Sequence, residues 1–288
     1  MTASLETLVV AAYVFAGSVS IPRPGPVGKI TDQELIALAV AQAAMGECSD
    51  RKFLGLIAHR LAGWFPHLPD QSQYNRRLRR LVPYLTTVQY QVAQLVADGR
   101  VRLADGTLIS CANYPGCASR SHFAGDASYG YSPSHSQFVW GMRLVLVSDH
   151  KGVPVGYDLV GPKTGQERQA VIDLACGQPD TILFADKGLW GAELERMISL
   201  TNVSLITPDR HQLGKRPPVE VEKARIRLVI ESVFANLKGQ MRLGQHLAKT
   251  VSGLVQRTTS RLLALTLGIF CNILAGRPAR ALAAYDGR

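Results

Sequence analysis

Apolar positions along the chain follow two different periods, and the change falls near residue 100. Upstream they recur at three- and four-residue intervals, the spacing of amphipathic helices. Residues 8–16 form a short apolar stretch, too short to span a bilayer. No basic leader or cleavage site accompanies it, so an N-terminal core helix is expected. After a Pro- and Gly-rich loop at 21–28, Thr31 with Glu34 three residues on reads as a capping box ahead of Leu35-Ile36-Ala37-Leu38-Ala39. A second capped helix opens near Ser49-Asp50 and carries Phe53, Leu54, Ile57 and Leu61. Pro66 and Pro69 interrupt the pattern before a basic helix over 72–81, and another amphipathic helix over 88–97 stops at Asp98-Gly99.

From Val101 the apolar residues fall into short runs typical of strands. The spacing predicts a strand at 101–110, a long loop at 113–136, and strands at 138–147 and 153–160. Asp149-His150-Lys151-Gly152 makes the hairpin turn between those two strands. A helix at 166–176, a strand at 181–186, a helix at 192–200 and a strand at 203–207 follow. A polar loop at 208–218 contains Arg210, His211, Lys215 and Arg216. Glu220 then opens a helix free of Gly and Pro until Gly239, and 251–274 is an apolar helix that must pack on the body or on another subunit. Mixed strands and helices after a helical start indicate an α/β protein with a mixed sheet, preceded by a small all-α region.

Composition narrows the partner. The 288 residues are 47% apolar and 19% charged, as in a folded protein, and the formal charge of +10 favours a polyanion. The five cysteines, Cys48, Cys111, Cys117, Cys176 and Cys271, form no Cys-x-x-Cys pair. Cys111, Cys117 and His122 lack the fourth partner and spacing of a zinc site, so free thiols and a reducing cytoplasm are expected. Arg76, Arg77, Arg79 and Arg80 crowd one predicted helix. That helix resembles the recognition helix of a helix-turn-helix; the same density also fits a solvated basic face.

Candidate chemistry centres on Thr-Ile-Leu-Phe-Ala-Asp-Lys-Gly-Leu-Trp-Gly at 181–191. It places Asp186 at the C-terminal end of a strand, the edge where open α/β sheets bind ligands and metals. Asp105 lies within the first strand. On the helix from Glu220, Arg227, Glu231 and Lys238 are spaced by four and then seven residues and share one face. Trp190, four residues after Asp186, is either a platform on which an unpaired base stacks or a core residue at the start of the following helix.

The three acids and their element order resemble the catalytic triad of the DDE transposases of bacterial insertion sequences, whose core is ribonuclease-H-like. Asp105, Asp186 and Glu231 match that family's first-strand Asp, fourth-strand Asp and helix Glu. Arg227, Glu231 and Lys238 match the family's Tyr, Arg, Glu and Lys helix signature, with Ala224 in the Tyr place. The resemblance runs from about Leu103 to Leu243. It implies a DNA-binding helical region at 1–98, a catalytic domain at 99–248 and a C-terminal helix at 249–288. It implies a transposase that binds the terminal inverted repeats of its element and catalyses metal-dependent strand cleavage and transfer. Asp105, Asp186 and Glu231 would hold two Mg²⁺ ions, for which Mn²⁺ may substitute. Arg76, Arg77, Arg79, Arg80, Trp190, Arg210, Lys215, Arg216, Arg227 and Lys238 would face double-stranded DNA, bound as a homodimer.

Two other readings use the same residues. Asp105-Gly106-Thr107 resembles the end of the haloacid-dehalogenase phosphatase motif, but the place of its nucleophilic Asp is held by Leu103. A DNA-binding regulator on an inactive core is the other alternative, and metal-dependent nicking of terminal-repeat DNA separates it from a transposase.

Overall fold

The structure is a computed structural model that describes residues 4–22, 28–112, 117–132, 136–178, 180–185, 192–206 and 218–282. The chain forms two compact units, one of Met1–Val96 with Ala235–Arg288 and one of Ala97–Phe234. The first unit therefore takes in both ends of the chain, where the sequence suggests three consecutive segments.

The first unit is helical. It holds α1 (Leu5–Gly17), α2 (Asp32–Ala44), α3 (Asp50–Arg60), α4 (Gln71–Arg80) and α5 (Val82–Val96), and it ends with α10 (Val251–Leu274). The Thr31 hydroxyl accepts from the Glu34 N–H at 3.1 Å while the Glu34 carboxylate accepts from the Thr31 N–H at 2.6 Å, so the capping box is formed. Ser49 and Asp70 cap α3 and α4 by accepting from the N–H groups of Lys52 and Gln73. Helix α2 packs against α1 and α10, and α10 packs in turn on α5. Both α2 and α10 are buried almost all round, α2 mainly through apolar side chains and α10 with Gln256, Arg257 and Arg261 taken into the interior beside its apolar residues.

One buried ion pair joins distant parts of this unit. Arg257 on α10 meets Asp50 at the start of α3 at 2.7 Å. Gln42 on α2 donates to the same carboxylate at 2.9 Å and Asn75 on α4 at 3.0 Å, and the Tyr74 hydroxyl donates to Gln42 at 3.0 Å. Three helices thus satisfy one buried acid carried by a fourth. Burial together with the nearby Asp50 charge pushes the Tyr74 phenol well above its ordinary value. Arg261, one turn after Arg257, is wholly buried, and desolvation lowers its guanidinium to about 10.

The second unit is built on a sheet. Its elements are β1 (Val101–Ser110), the short α6 (Cys117–Arg120), β2 (Ser128–Ser132), β3 (Gln137–Asp149), β4 (Pro154–Val160), α7 (Thr164–Cys176), β5 (Ile182–Ala185), α8 (Ala192–Ser199), β6 (Ser204–Ile206) and α9 (Pro218–Lys238), whose last residues pass into the first unit. Strand β3 runs antiparallel to β1 on one edge and pairs with β2 and then β4 on the other. On its far edge β1 is parallel to β5, and β5 is parallel to β6. Antiparallel strands leading into two parallel ones, with helices between, make the mixed sheet of a ribonuclease-H-like core. Asp149 sets the β3–β4 turn by accepting from the N–H groups of Lys151, Val153 and Asp98 at 2.8–3.1 Å.

The expected long loop at 113–136 contains a strand, β2, which the sequence reading left out. Its Ser-Tyr-Gly-Tyr-Ser sequence shows no apolar alternation, because its outward residues are the aromatics: Tyr129 and Tyr131 are exposed. Gly130 turns inward, and a Cβ there would lie 2.7 Å from Pro162 and 3.0 Å from Leu108. Pairing with β3, rather than its own hydrophobicity, makes this segment a strand.

The fold generates a stability prediction. Arg257→Ala leaves the Asp50 carboxylate buried without its cation and should cost about 3–5 kcal/mol, read as a fall in denaturant midpoint at constant m-value.

Candidate active site and basic surface

Asp105 sits in the middle of β1, opposite Leu146 of β3. Successive side chains on a strand alternate, so Asp105 shares a face with the buried Leu103 and Ile109 while Ala104 and Gly106 turn the other way, towards α7. The Gly106 N–H donates to the Asp105 carboxylate at 2.7 Å. On the opposite face a Cβ at position 106 would lie 2.1 Å from a carboxylate oxygen of Glu167 on α7. Glu167 is buried and paired with Arg143 of β3 at 2.9 Å. A side chain at 106 would have to push the Glu167 carboxylate away from its place beside Arg143. Neither Glu167 nor Arg143 was singled out in the sequence: Thr-Gly-Gln-Glu-Arg reads as a solvated first helical turn. The glycine inside a strand was the available signal of a close approach.

Strand β5 ends at Ala185, which pairs with Ala104. The two residues that immediately precede Asp105 and Asp186 therefore lie side by side on parallel strands. Asp186 and Trp190 lie outside the described residues, as do Arg210, Lys215 and Arg216. Glu231 is exposed on α9, beside the buried stripe of Ile230, Val233, Phe234 and Leu237. Arg227, partly buried, precedes it by one turn, and Lys238, exposed, follows it along the same helix. Asp105, Arg227 and Glu231 belong to the sheet unit and Lys238 to the helical one. Among the described residues no group of three His, Cys, Asp or Glu side chains is disposed to hold a metal. The Cys111 thiol donates to the Ile109 carbonyl, and burial pushes it up to about 11.

The basic run on α4 divides between two faces. Arg77 bonds Asp32 at the start of α2 and donates to the Ile30 carbonyl at 3.0 Å, while Arg80 reaches the same Asp32 at 3.6 Å. Arg76 and Arg79 lie on the other side, exposed. The division follows from helical pitch, since residues three apart share a face. Four arginines in sequence thus become two structural side chains, Arg77 held by a buried acid and Arg80 at its edge, and two that face outward. Helices α3 and α4 are joined by residues 61–70, through Pro66 and Pro69.

A mixed sheet of this order, with helices between its strands, is that of a ribonuclease-H-like fold. The family model described as Transposase DDE domain matches residues 97–267, more than half of the chain, and the chain belongs to that family. It is a DDE transposase, and the family's strand chemistry depends on divalent metal. Among solved structures, the Mos1 transposase paired-end complex with left transposon end is similar at 13% identity, covering 80% of this chain and 83% of that one with a TM-score of 0.24. No curated protein matches. Among the described residues no helix is long and apolar enough to cross a membrane.

The two faces of α4 should separate under mutation. Arg77→Ala removes the closer of the two arginines that meet the buried Asp32 and should destabilise the chain by about 1–3 kcal/mol. Arg76→Ala should leave the melting temperature within about a degree of the parent, because surface changes stay within about 0.5 kcal/mol. Equal losses from both would show that the faces are not distinct.

Proposed function

We propose that this transposase binds double-stranded DNA at the terminal repeats of its own element and cleaves and transfers strands at a site made by Asp105, Asp186 and Glu231. The observation that carries the reading is the β1–β5 register, which aligns the residues preceding the two aspartates. Glu231 suits the third place because it is exposed on α9 at a position that belongs to the same unit as β1.

Three carboxylates on different elements fit hard divalent cations, which prefer oxygen ligands and retain part of their water shell. Asp105 would hold two Mg²⁺ ions, Asp186 one of them and Glu231 the other, with Mn²⁺ able to substitute. When bound, such a pair activates the attacking oxygen and stabilises the leaving one in an in-line displacement. The protein's own residues do the positioning. The Gly106 N–H orients the Asp105 carboxylate, and the Arg143–Glu167 pair supports the far face of the strand. Arg227 and Lys238, on the helix face of Glu231, neutralise phosphate. Arg210, Lys215 and Arg216 extend the basic surface along the DNA, and Trp190 stacks on an exposed base near the cut. A homodimer would hold the two ends of the element together.

The mutational test is direct. Asp105→Asn, Asp186→Asn and Glu231→Gln should each keep the parent's melting temperature and abolish nicking of terminal-repeat duplex in Mg²⁺ or Mn²⁺. Any variant that still cleaves removes its residue from the triad. For Trp190, Phe should preserve cleavage of pre-nicked ends and Ala should lose it; an Ala variant that instead melts early marks a core residue, since loss of a buried Trp costs about 3–5 kcal/mol.

A further inference from the structure

The helical unit contains a cavity of about 680 Å³ far removed in chemistry from a carboxylate site. Its walls come from the start of α3, one face of α4, and the segment that leads into α10. On α4 the lining residues Ser72, Asn75, Arg76 and Arg79 recur at helical spacing, so one complete face of that helix is turned to the cavity. The opposite wall supplies Lys249 and Thr250, the N-cap of α10.

Charge accounting decides what such a space accepts. The lining holds one acid, Asp50, and four cations, Arg76, Arg79, Lys249 and Arg257. Asp50 is fully engaged: Arg257 and Gln42 meet one carboxylate oxygen and Asn75 the other. Its charge is therefore neutralised within the protein. Arg76, Arg79 and Lys249 are exposed, and among the described residues no carboxylate pairs with any of them. The starts of α3, α4 and α10 lie on the wall as well, and their dipoles reinforce the same sign. Small-molecule pockets are lined mainly by apolar and aromatic side chains. Here no aromatic lines the wall, and the space exceeds what a single small anion fills. Cations contributed to one space by two separate elements suit a continuous polyanion.

We infer that this cavity seats the phosphodiester backbone of duplex DNA, with Arg76 and Arg79 of α4 on one side and Lys249 before α10 on the other. The inference rests on the reading of the chain as a DNA-binding transposase and goes beyond it by bringing a residue from beyond 235 into the contact made by the N-terminal helices. The Asn75–Asp50–Arg257 linkage is the rigid floor that fixes the spacing of the two walls.

Salt-dependent binding of a random-sequence duplex tests the site, because backbone contacts are independent of sequence. Arg76→Ala, Arg79→Ala and Lys249→Ala should each reduce the slope of log affinity against log salt by about 0.9. Lys249→Glu should weaken binding at least tenfold at low salt, while Lys29→Glu, an equal charge change on an exposed residue outside the lining, should have a much smaller effect. All these side chains are exposed, so unchanged melting temperatures would show that the variants fold. Affinity and slope matching the Lys29→Glu control would overturn the site while leaving DNA binding intact. Thermal stabilisation of the parent by pyrophosphate, lost in Lys249→Glu without any change in duplex affinity, would make the cavity a small-anion pocket and overturn it too. A parent chain that binds no duplex at all would overturn this site together with the DNA-binding reading it rests on, a result distinct from either.

Discussion

Strand β1 is hydrogen-bonded on both edges, antiparallel to β3 and parallel to β5, and the candidate active site depends on that placement. A central strand with both ladders satisfied cannot slip: a shift by one residue would send every side chain to the other face. Fixed in this way, Asp105 is held on one face while Ala104 and Gly106 take the other, under α7. The same ladder brings Ala185 alongside Ala104, and so sets where the chain leaves β5 towards its second aspartate. The close approach of Glu167 to Gly106 then means that a side chain at 106 would displace that carboxylate where α7 crosses the strand.

In the helical unit a single acid has a comparable role. Asp50 takes hydrogen bonds from α2, α4 and α10 and is buried among them, which ties the C-terminal helix to the N-terminal ones. A buried carboxylate with one cation and two amide donors is tolerable because each oxygen has a partner; removal of any one exposes the desolvation cost of the rest. Asp32 repeats the arrangement at a smaller scale with Arg77 and Arg80. Both acids occupy the first turn of a helix, where the dipole also favours negative charge.

Much of the architecture was legible in local pattern. The capping box at Thr31, the break at Pro66 and Pro69, the β3–β4 hairpin around Asp149 and the apolar helix of 251–274 all rest on interactions between residues near one another in sequence, so composition and spacing report them. Strand β2 was not legible, because its partner β3 and its covering residues Leu108 and Pro162 supply what its own sequence lacks. Of the candidate site, the strand that carries Asp105 and the helix that carries Glu231 could be read, while Asp186 lies outside the described residues. Glu167 and Arg143 could not, since they meet across 24 residues and only packing shows it.

The sequence by itself determined most of the elements, their order, the basic charge, and that Asp105 stands on a strand and Glu231 on a helix. It could not assign faces. Four arginines within 76–80 look alike in sequence, yet Arg77 and Arg80 close on Asp32 while Arg76 and Arg79 open on a cavity whose far wall comes from about 170 residues later. Tertiary structure alone made that division, because burial and pairing are properties of contacts between distant segments, and the free energy of a charge is set by what surrounds it rather than by its neighbours along the chain.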